Sequence, residues 1–185
     1  MNLTKLSIDR TWTLFLDRDG VINKKLPNDY VKKIEEFEFI DGAEEAISKL
    51  GSIFGRIVVV TNQQGIGKGL MTVQELNEVH DYMQSRLIQM GGKIDKIYFC
   101  PDLADSKSNC RKPNTGMAEE ARSEFNEIDF KKSIMVGDSL SDMQMGKRVG
   151  MVTVYVNTGN SIKEADYQVE SLKALGQSIE QLVKK

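Results

Sequence analysis

Leu14-Phe15-Leu16-Asp17-Arg18-Asp19-Gly20 passes within one short segment from an apolar run to two carboxylates and a glycine. Apolar residues on both faces are the mark of a strand buried in a parallel sheet. Two acids one residue apart after such a strand can face one pocket only if the chain turns, and Gly20 permits the turn. Working outward, five strands read from Trp12–Leu16, Ile57–Val60, Ile97–Phe99, Ile134–Val136 and Val152–Val156. Helices are expected between and after them, over Gly42–Leu50 behind an Asp41 N-cap, Thr72–Met90 behind a Thr72/Glu75 capping box, Gly116–Phe125 behind Pro113, Leu140–Val149, and Ser171–Val183. Strand and helix in alternation predict βαβ units. The expected fold is therefore α/β, a doubly wound, Rossmann-like parallel sheet with helices on both faces. One core and no linker make residues 1–185 a single domain in this reading. Val21–Ile40 is too long for a usual strand-to-helix connection and is expected to form a small β flap over the sheet edge.

Composition narrows the function. The 185 residues carry 25 Lys and Arg against 27 Asp and Glu, a formal charge of −2. That balance lacks the basic footprint of a nucleic-acid binder. No window approaches the ~18 apolar residues of a membrane span, and Met1–Arg10 has no apolar run behind a basic stub. The expectation is a cytoplasmic monomer with no nucleic-acid or membrane partner. Cys100 and Cys110 are too few for a disulfide framework and read as free thiols in a reducing compartment. His80, the only histidine, lies among Glu78, Asp81 and Gln84 and reads as a surface or boundary residue. A single histidine excludes multi-histidine metal sites, and without a G-x-S-x-G turn it leaves no serine triad. Gly65-x-Gly67-Lys68-Gly69 fails as a phosphate-binding P-loop, because Asn62 and Gly69 stand where a glycine and a hydroxyl residue are needed.

Ligands of open α/β sheets bind at the carboxyl ends of the strands. Four such ends are polar here: Asp17 and Asp19; Thr61, Asn62 and Gln63 with the glycine-rich loop behind them; Arg111 and Lys112 on the irregular stretch Pro101–Thr115; and Asp138, Ser139 and Asp142. Alone, each is an ordinary turn, cap or surface group. Together they make the inventory for a divalent cation and a phosphate. A carboxylate nucleophile would split phosphoryl transfer into two displacements.

Asp17-x-Asp19-Gly20, Thr61, Lys112 and Gly137-Asp138-Ser139 with Asp142 resemble the four-motif signature of the haloacid dehalogenase (HAD) superfamily. FLDRDGVIN (Phe15–Asn23), FEFIDG (Phe37–Gly42), VVVTNQQGIGKG (Val58–Gly69), CRKPNTGM (Cys110–Met117) and MVGDSLSDMQ (Met135–Gln144) resemble its small branch without a cap domain. That branch contains D-glycero-D-manno-heptose-1,7-bisphosphate 7-phosphatases and histidinol-phosphate phosphatases. The resemblance implies a magnesium-dependent phosphatase of a small phosphate ester, with heptose 1,7-bisphosphate, cut at the 7-phosphate, preferred over histidinol phosphate. It implies Asp17 as nucleophile, forming a phosphoaspartyl intermediate, and Asp19 as general acid and base, its pKa raised by burial. Thr61 and Lys112 would bind the transferring phosphoryl group. Magnesium would rest on Asp17, Asp19 through its carbonyl, and Asp138. Asn62, Gln63, Lys68 and Arg111 are candidates for the rest of the substrate, Arg111 for a second phosphate. The branch also carries a structural zinc on a Cys-x-His and a Cys-x-Cys pair. Here Cys100-Pro101-Asp102 and Ser108-Asn109-Cys110 retain two of those four ligands, so zinc is not expected. A phospho-acceptor signalling module is the alternative of another class. Its acceptor acid would follow the third strand, where Phe99-Cys100-Pro101 stands.

Overall fold

The computed structural model describes residues 6–159 and 161–184. Met1–Lys5, the start of the stretch read as leaderless, and Lys185, at the basic chain end, lie outside them. Six strands, β1 (Thr13–Leu16), β2 (Arg56–Asn62), β3 (Lys96–Cys100), β4 (Ser133–Gly137), β5 (Val152–Val156) and β6 (Tyr167–Val169), form one sheet in the order β3-β2-β1-β4-β5-β6. Every pairing is parallel. The helices are α1 (Ala43–Ile53), α2 (Val73–Gln89), α3 (Gly116–Glu124), α4 (Leu140–Val149) and α5 (Leu172–Val183).

Side chains alternate across the pleat and split the core in two. Leu14, Leu16, Val59, Ile134 and Val136 pack with Ile47 and Leu50 of α1, Val79 and Met83 of α2, and Leu175 and Ile179 of α5. Phe15, Val58, Val60 and Met135 face the other way, onto Met117 and Ala121 of α3 and Met145 of α4. Strands covered on both faces must be apolar throughout, which is why they were legible. Among the described residues, no helix is long and apolar enough to cross a membrane.

Three expectations change. β6 was not anticipated, because this three-residue edge strand buries only Val169 and so shows no apolar run. Val21–Ile40 forms only a rudiment of the expected β flap: Asn23 and Phe39 make one antiparallel bridge, with Lys24 N–H donating to the Glu38 carbonyl and Ile40 N–H to the Ile22 carbonyl, Asn23 also bridges Asp19, and a 3-10 turn spans Ile34–Glu36. Pro27, which lacks a donor, and Asn28, at φ 57°, stand beyond this bridge, where the pairing does not continue. α1 is preceded by Gly42 at φ 72° rather than capped by Asp41. The Thr72/Glu75 capping box of α2 forms as read.

β1 lies between β2 and β4, so the chain leaves the sheet in opposite directions from β1 and β4. A crevice opens at such a switch point, beyond the carboxyl ends of the strands. Asp17 and Asp138 follow β1 and β4 directly.

Candidate active site

A cavity of about 230 Å³ occupies that crevice, and Asp17, Asp19, Thr61, Asn62, Arg111 and Lys112 contribute to its wall. Asp17 extends the β1 ladder, its N–H donating to the Val136 carbonyl at 2.9 Å, and its side chain is buried. Lys112, also buried, reaches in with Nζ 2.9 Å from Asp17 Oδ1, 2.6 Å from Asp142 Oδ1 and 2.8 Å from the Val60 carbonyl oxygen. The other oxygen of Asp142 accepts from Ser139 N at 3.0 Å and Ser139 Oγ at 2.6 Å, closing a capping box at the start of α4. Asp142 is thus committed to Lys112 and to its own helix. Glycine at 20 is forced twice over: φ is +89°, and a Cβ there would lie 2.1 Å from Asp138 Oδ2.

Crowded acids in a dry site resist ionisation. Burial, reinforced by the Asp142 charge and opposed by Lys112, pushes Asp17 up to about 7. Burial likewise raises Asp138, against the pull of Lys25, whose Nζ lies 2.6 Å from Asp138 Oδ2. Asp138 Oδ1 is buried with no hydrogen-bond partner. Carboxylate oxygens of Asp17, Asp138 and Asp142 lie within 4.8 Å of one another. With Asp142 already engaged, Asp17 and Asp138 each offer a hard oxygen besides the one that a lysine holds, which fits a divalent cation such as magnesium.

Asp19 behaves in the opposite way to expectation. Burial alone would raise its pKa, but the Arg18 charge and hydrogen bonds from Asn23, Arg18 and Gln63 outweigh it and hold the carboxyl below its ordinary value. Arg18 Nη2 lies 2.9 Å from each Asp19 oxygen. The acids raised by burial are therefore Asp17 and Asp138, and the reading of Asp19 is corrected: its neighbours are donors, not acids.

The remaining site residues divide. Thr61, next to last in β2, lines the cavity, and its Oγ1 accepts from Gln63 Nε2. Asn62 pairs with the backbone of Lys112, Oδ1 accepting from N at 3.0 Å and Nδ2 donating to O at 3.2 Å, and so fixes where the lysine enters. Arg111 lines the cavity and donates to the Asp102 carbonyl at 3.2 Å. Gln63 does not face a substrate: it is wholly buried, and its amide donates to Asp19 Oδ2 and Thr61 Oγ1, both at 2.9 Å. Lys68 lies outside this cavity, 3.1 Å from Tyr30 Oη, in a shallower one shared with Lys25 and Tyr30. Lys25, Tyr30 and Arg18 were not singled out. Only Arg18 left a signal, as a cation between two acids on a buried strand end.

Two further corrections concern His80 and the cysteines. His80 is 4% exposed, with Nε2 3.1 Å from Arg18 Nη1, so it is no surface residue. Burial, then the Arg18 charge, pushes its pKa down to about 3. Cys100 and Cys110 are not free thiols but a disulfide, because β3 and the loop before α3 return to a Cα separation of 5.4 Å. Ser108 Oγ lies 3.4 and 3.1 Å from the two sulfurs.

Known proteins are similar to this chain in sequence and fold. A HAD-hydrolase-like family model matches residues 109–179. A D-glycero-alpha-D-manno-heptose-1,7-bisphosphate 7-phosphatase of Mycobacterium tuberculosis is 38% identical, covering 87% of each chain. The Campylobacter jejuni protein of the same name is 40% identical over 90% of this chain and 94% of its own. A Pasteurella multocida relative, 38% identical over 91% of this chain and 97% of its own, is named for the beta anomer. The D,D-heptose 1,7-bisphosphate phosphatase of B. bronchiseptica, solved with magnesium and phosphate, superposes with a TM-score of 0.84 at 32% identity, over 92% of this chain and 98% of that one. The chain belongs to the HAD-like hydrolases, in the capless phosphatase family of these heptose-1,7-bisphosphate 7-phosphatases.

Proposed function

We propose that the protein is a magnesium-dependent phosphatase that removes the 7-phosphate from D-glycero-D-manno-heptose 1,7-bisphosphate. The observation that carries the reading is the meeting of Asp17, Lys112 and Asp138 at one end of the sheet, with Lys112 Nζ 2.9 Å from the acid that would attack. Substrate class rests on the likeness to the heptose bisphosphate phosphatases.

An Asp17 oxygen attacks phosphorus in line while the sugar oxygen departs, taking the proton of Asp19. Water then attacks the same phosphorus, Asp19 takes its proton, and the Asp17 carboxylate is released with inorganic phosphate. Lys112 and the Thr61 hydroxyl hold the charge that gathers on the phosphoryl oxygens. Asp17, Asp138 and the Asp19 carbonyl would hold magnesium, which neutralises charge on the phosphoryl group when bound. It would also draw Asp17 into the ionised form that attack requires. A phosphate dianion beside Asp19 favours the proton-carrying form of that acid. Arg111, at the cavity wall, suits the second phosphate.

A substrate panel with magnesium added and then chelated tests the reading. Heptose bisphosphate is expected to turn over fastest, and faster histidinol phosphate turnover overturns the substrate assignment. No magnesium-dependent phosphate release from any ester would return the phospho-acceptor alternative. Arg111→Met is expected to raise KM for the bisphosphate roughly tenfold or more, the loss of about one charge-assisted contact, and to leave KM for a monophosphate ester nearly as it was.

A further inference from the structure

Arg18 is fully buried, and among the described residues the only carboxylate it meets is that of Asp19. Its guanidinium spends Nε and Nη2 on Asp19, at 3.3 and 2.9 Å, and turns Nη1 to His80 Nε2 at 3.1 Å. A guanidinium has no acceptor, so Nε2 must accept and the ring must carry its proton on Nδ1. His80 belongs to α2, whose flanking residues Val79 and Met83 are anchored in the core. A helix therefore holds the far edge of the guanidinium while the near edge holds the acid, with Asn23 and Gln63 each donating to Asp19 at 2.9 Å.

We propose that His80 is a positioning residue that acts through Arg18 to set the place of the Asp19 carboxylate in the reaction. The inference rests on Asp19 being the proton donor to the leaving oxygen. Without an acceptor at Nη1, the far edge of the guanidinium loses its anchor, and the Asp19 carboxylate is left to Asn23, Gln63 and an arginine that α2 no longer fixes. Proton delivery to a poor leaving group then suffers, while binding does not.

The test compares two esters by kcat/KM, which reports steps only up to departure of the alcohol. From the sugar bisphosphate the departing group is a sugar alkoxide, which needs a proton; from p-nitrophenyl phosphate it is p-nitrophenolate, which does not. His80→Gln can return an acceptor near the place of Nε2, whereas His80→Asn is one methylene too short. The ratio of sugar to aryl kcat/KM is expected to fall about 10- to 100-fold in His80→Asn, part of what a general acid supplies, and less than about threefold in His80→Gln. Equal losses on both esters, or a Gln variant no better than Asn, would overturn the proposal. Asp19→Asn run beside them separates the two ideas: if it too leaves the ratio unchanged, the assignment of Asp19 has failed, and if it alone lowers the ratio, only the role of His80 has. Ring 15N shifts of wild type need no variant, since the chain has a single histidine. They must report protonated Nδ1 and bare Nε2 at neutral pH, and the opposite tautomer would refute the contact.

Discussion

Asp17→Asn should make the metal-free protein more stable while abolishing turnover. Burial pushes Asp17 up to about 7 in the fold, against 3.8 for an ordinary aspartate. Its folded pKa is raised, so between these values the folded state holds a proton that the unfolded chain has lost, and stability falls as pH rises through that window. At 1.36 kcal/mol per pH unit, the cost is about 2 kcal/mol at pH 5 and about 4 kcal/mol at pH 8. Asparagine has the same shape, keeps an oxygen for Lys112, and carries no charge to bury. Urea unfolding of both proteins in chelator, at pH 5 and pH 8, reads the difference. The variant's advantage is expected to grow by roughly 2–3 kcal/mol between the two. Magnesium at about 100 times its Kd then adds about 2.7 kcal/mol to wild type and much less to the variant. Parallel pH profiles would refute the account of Asp17 as a strained acid, and retained turnover would mean that water attacks phosphorus directly.

Removing Lys112 reads the same cluster from the other side. Lys112→Met leaves Asp17 and Asp142 facing each other without their shared cation, and is expected to cost about 3–5 kcal/mol near pH 8, less at pH 5, where Asp17 takes up a proton; equal unfolding midpoints at pH 8 would refute it. Reduction of Cys100–Cys110, which are ten residues apart, is expected to lower stability by about 2–3 kcal/mol, the entropy of so short a loop. Thermal unfolding with and without dithiothreitol measures it, and an unchanged midpoint would show that the crosslink does not constrain the unfolded chain.

Strands buried on both faces announce themselves by continuous apolar runs, so β1, β2, β4 and β5 were legible, and with them the alternation that implies a parallel sheet. β6 was not, since an edge strand with one buried side chain has no such run. Asp17, Thr61 and Asp138 could be found in the sequence because each lies at the end of a strand where ligands bind, and Lys112 as one of two adjacent cations on the irregular stretch before α3. Gln63 could not be placed, because alternation beyond the end of a strand breaks down, and only the fold turns its amide onto Asp19 and Thr61.

Sequence alone therefore determined the kind of sheet, the end of it that carries chemistry, and which residue types gather there, all consequences of local periodicity and short-range spacing. Tertiary structure decided the charge states and the pairings: that Asp17 rather than Asp19 resists ionisation, that His80 holds Arg18 across 62 positions, and that Cys100 meets Cys110. Burial and approach between distant segments set these, and the strength of a charge or a contact depends on the dielectric and distance that only the folded chain creates.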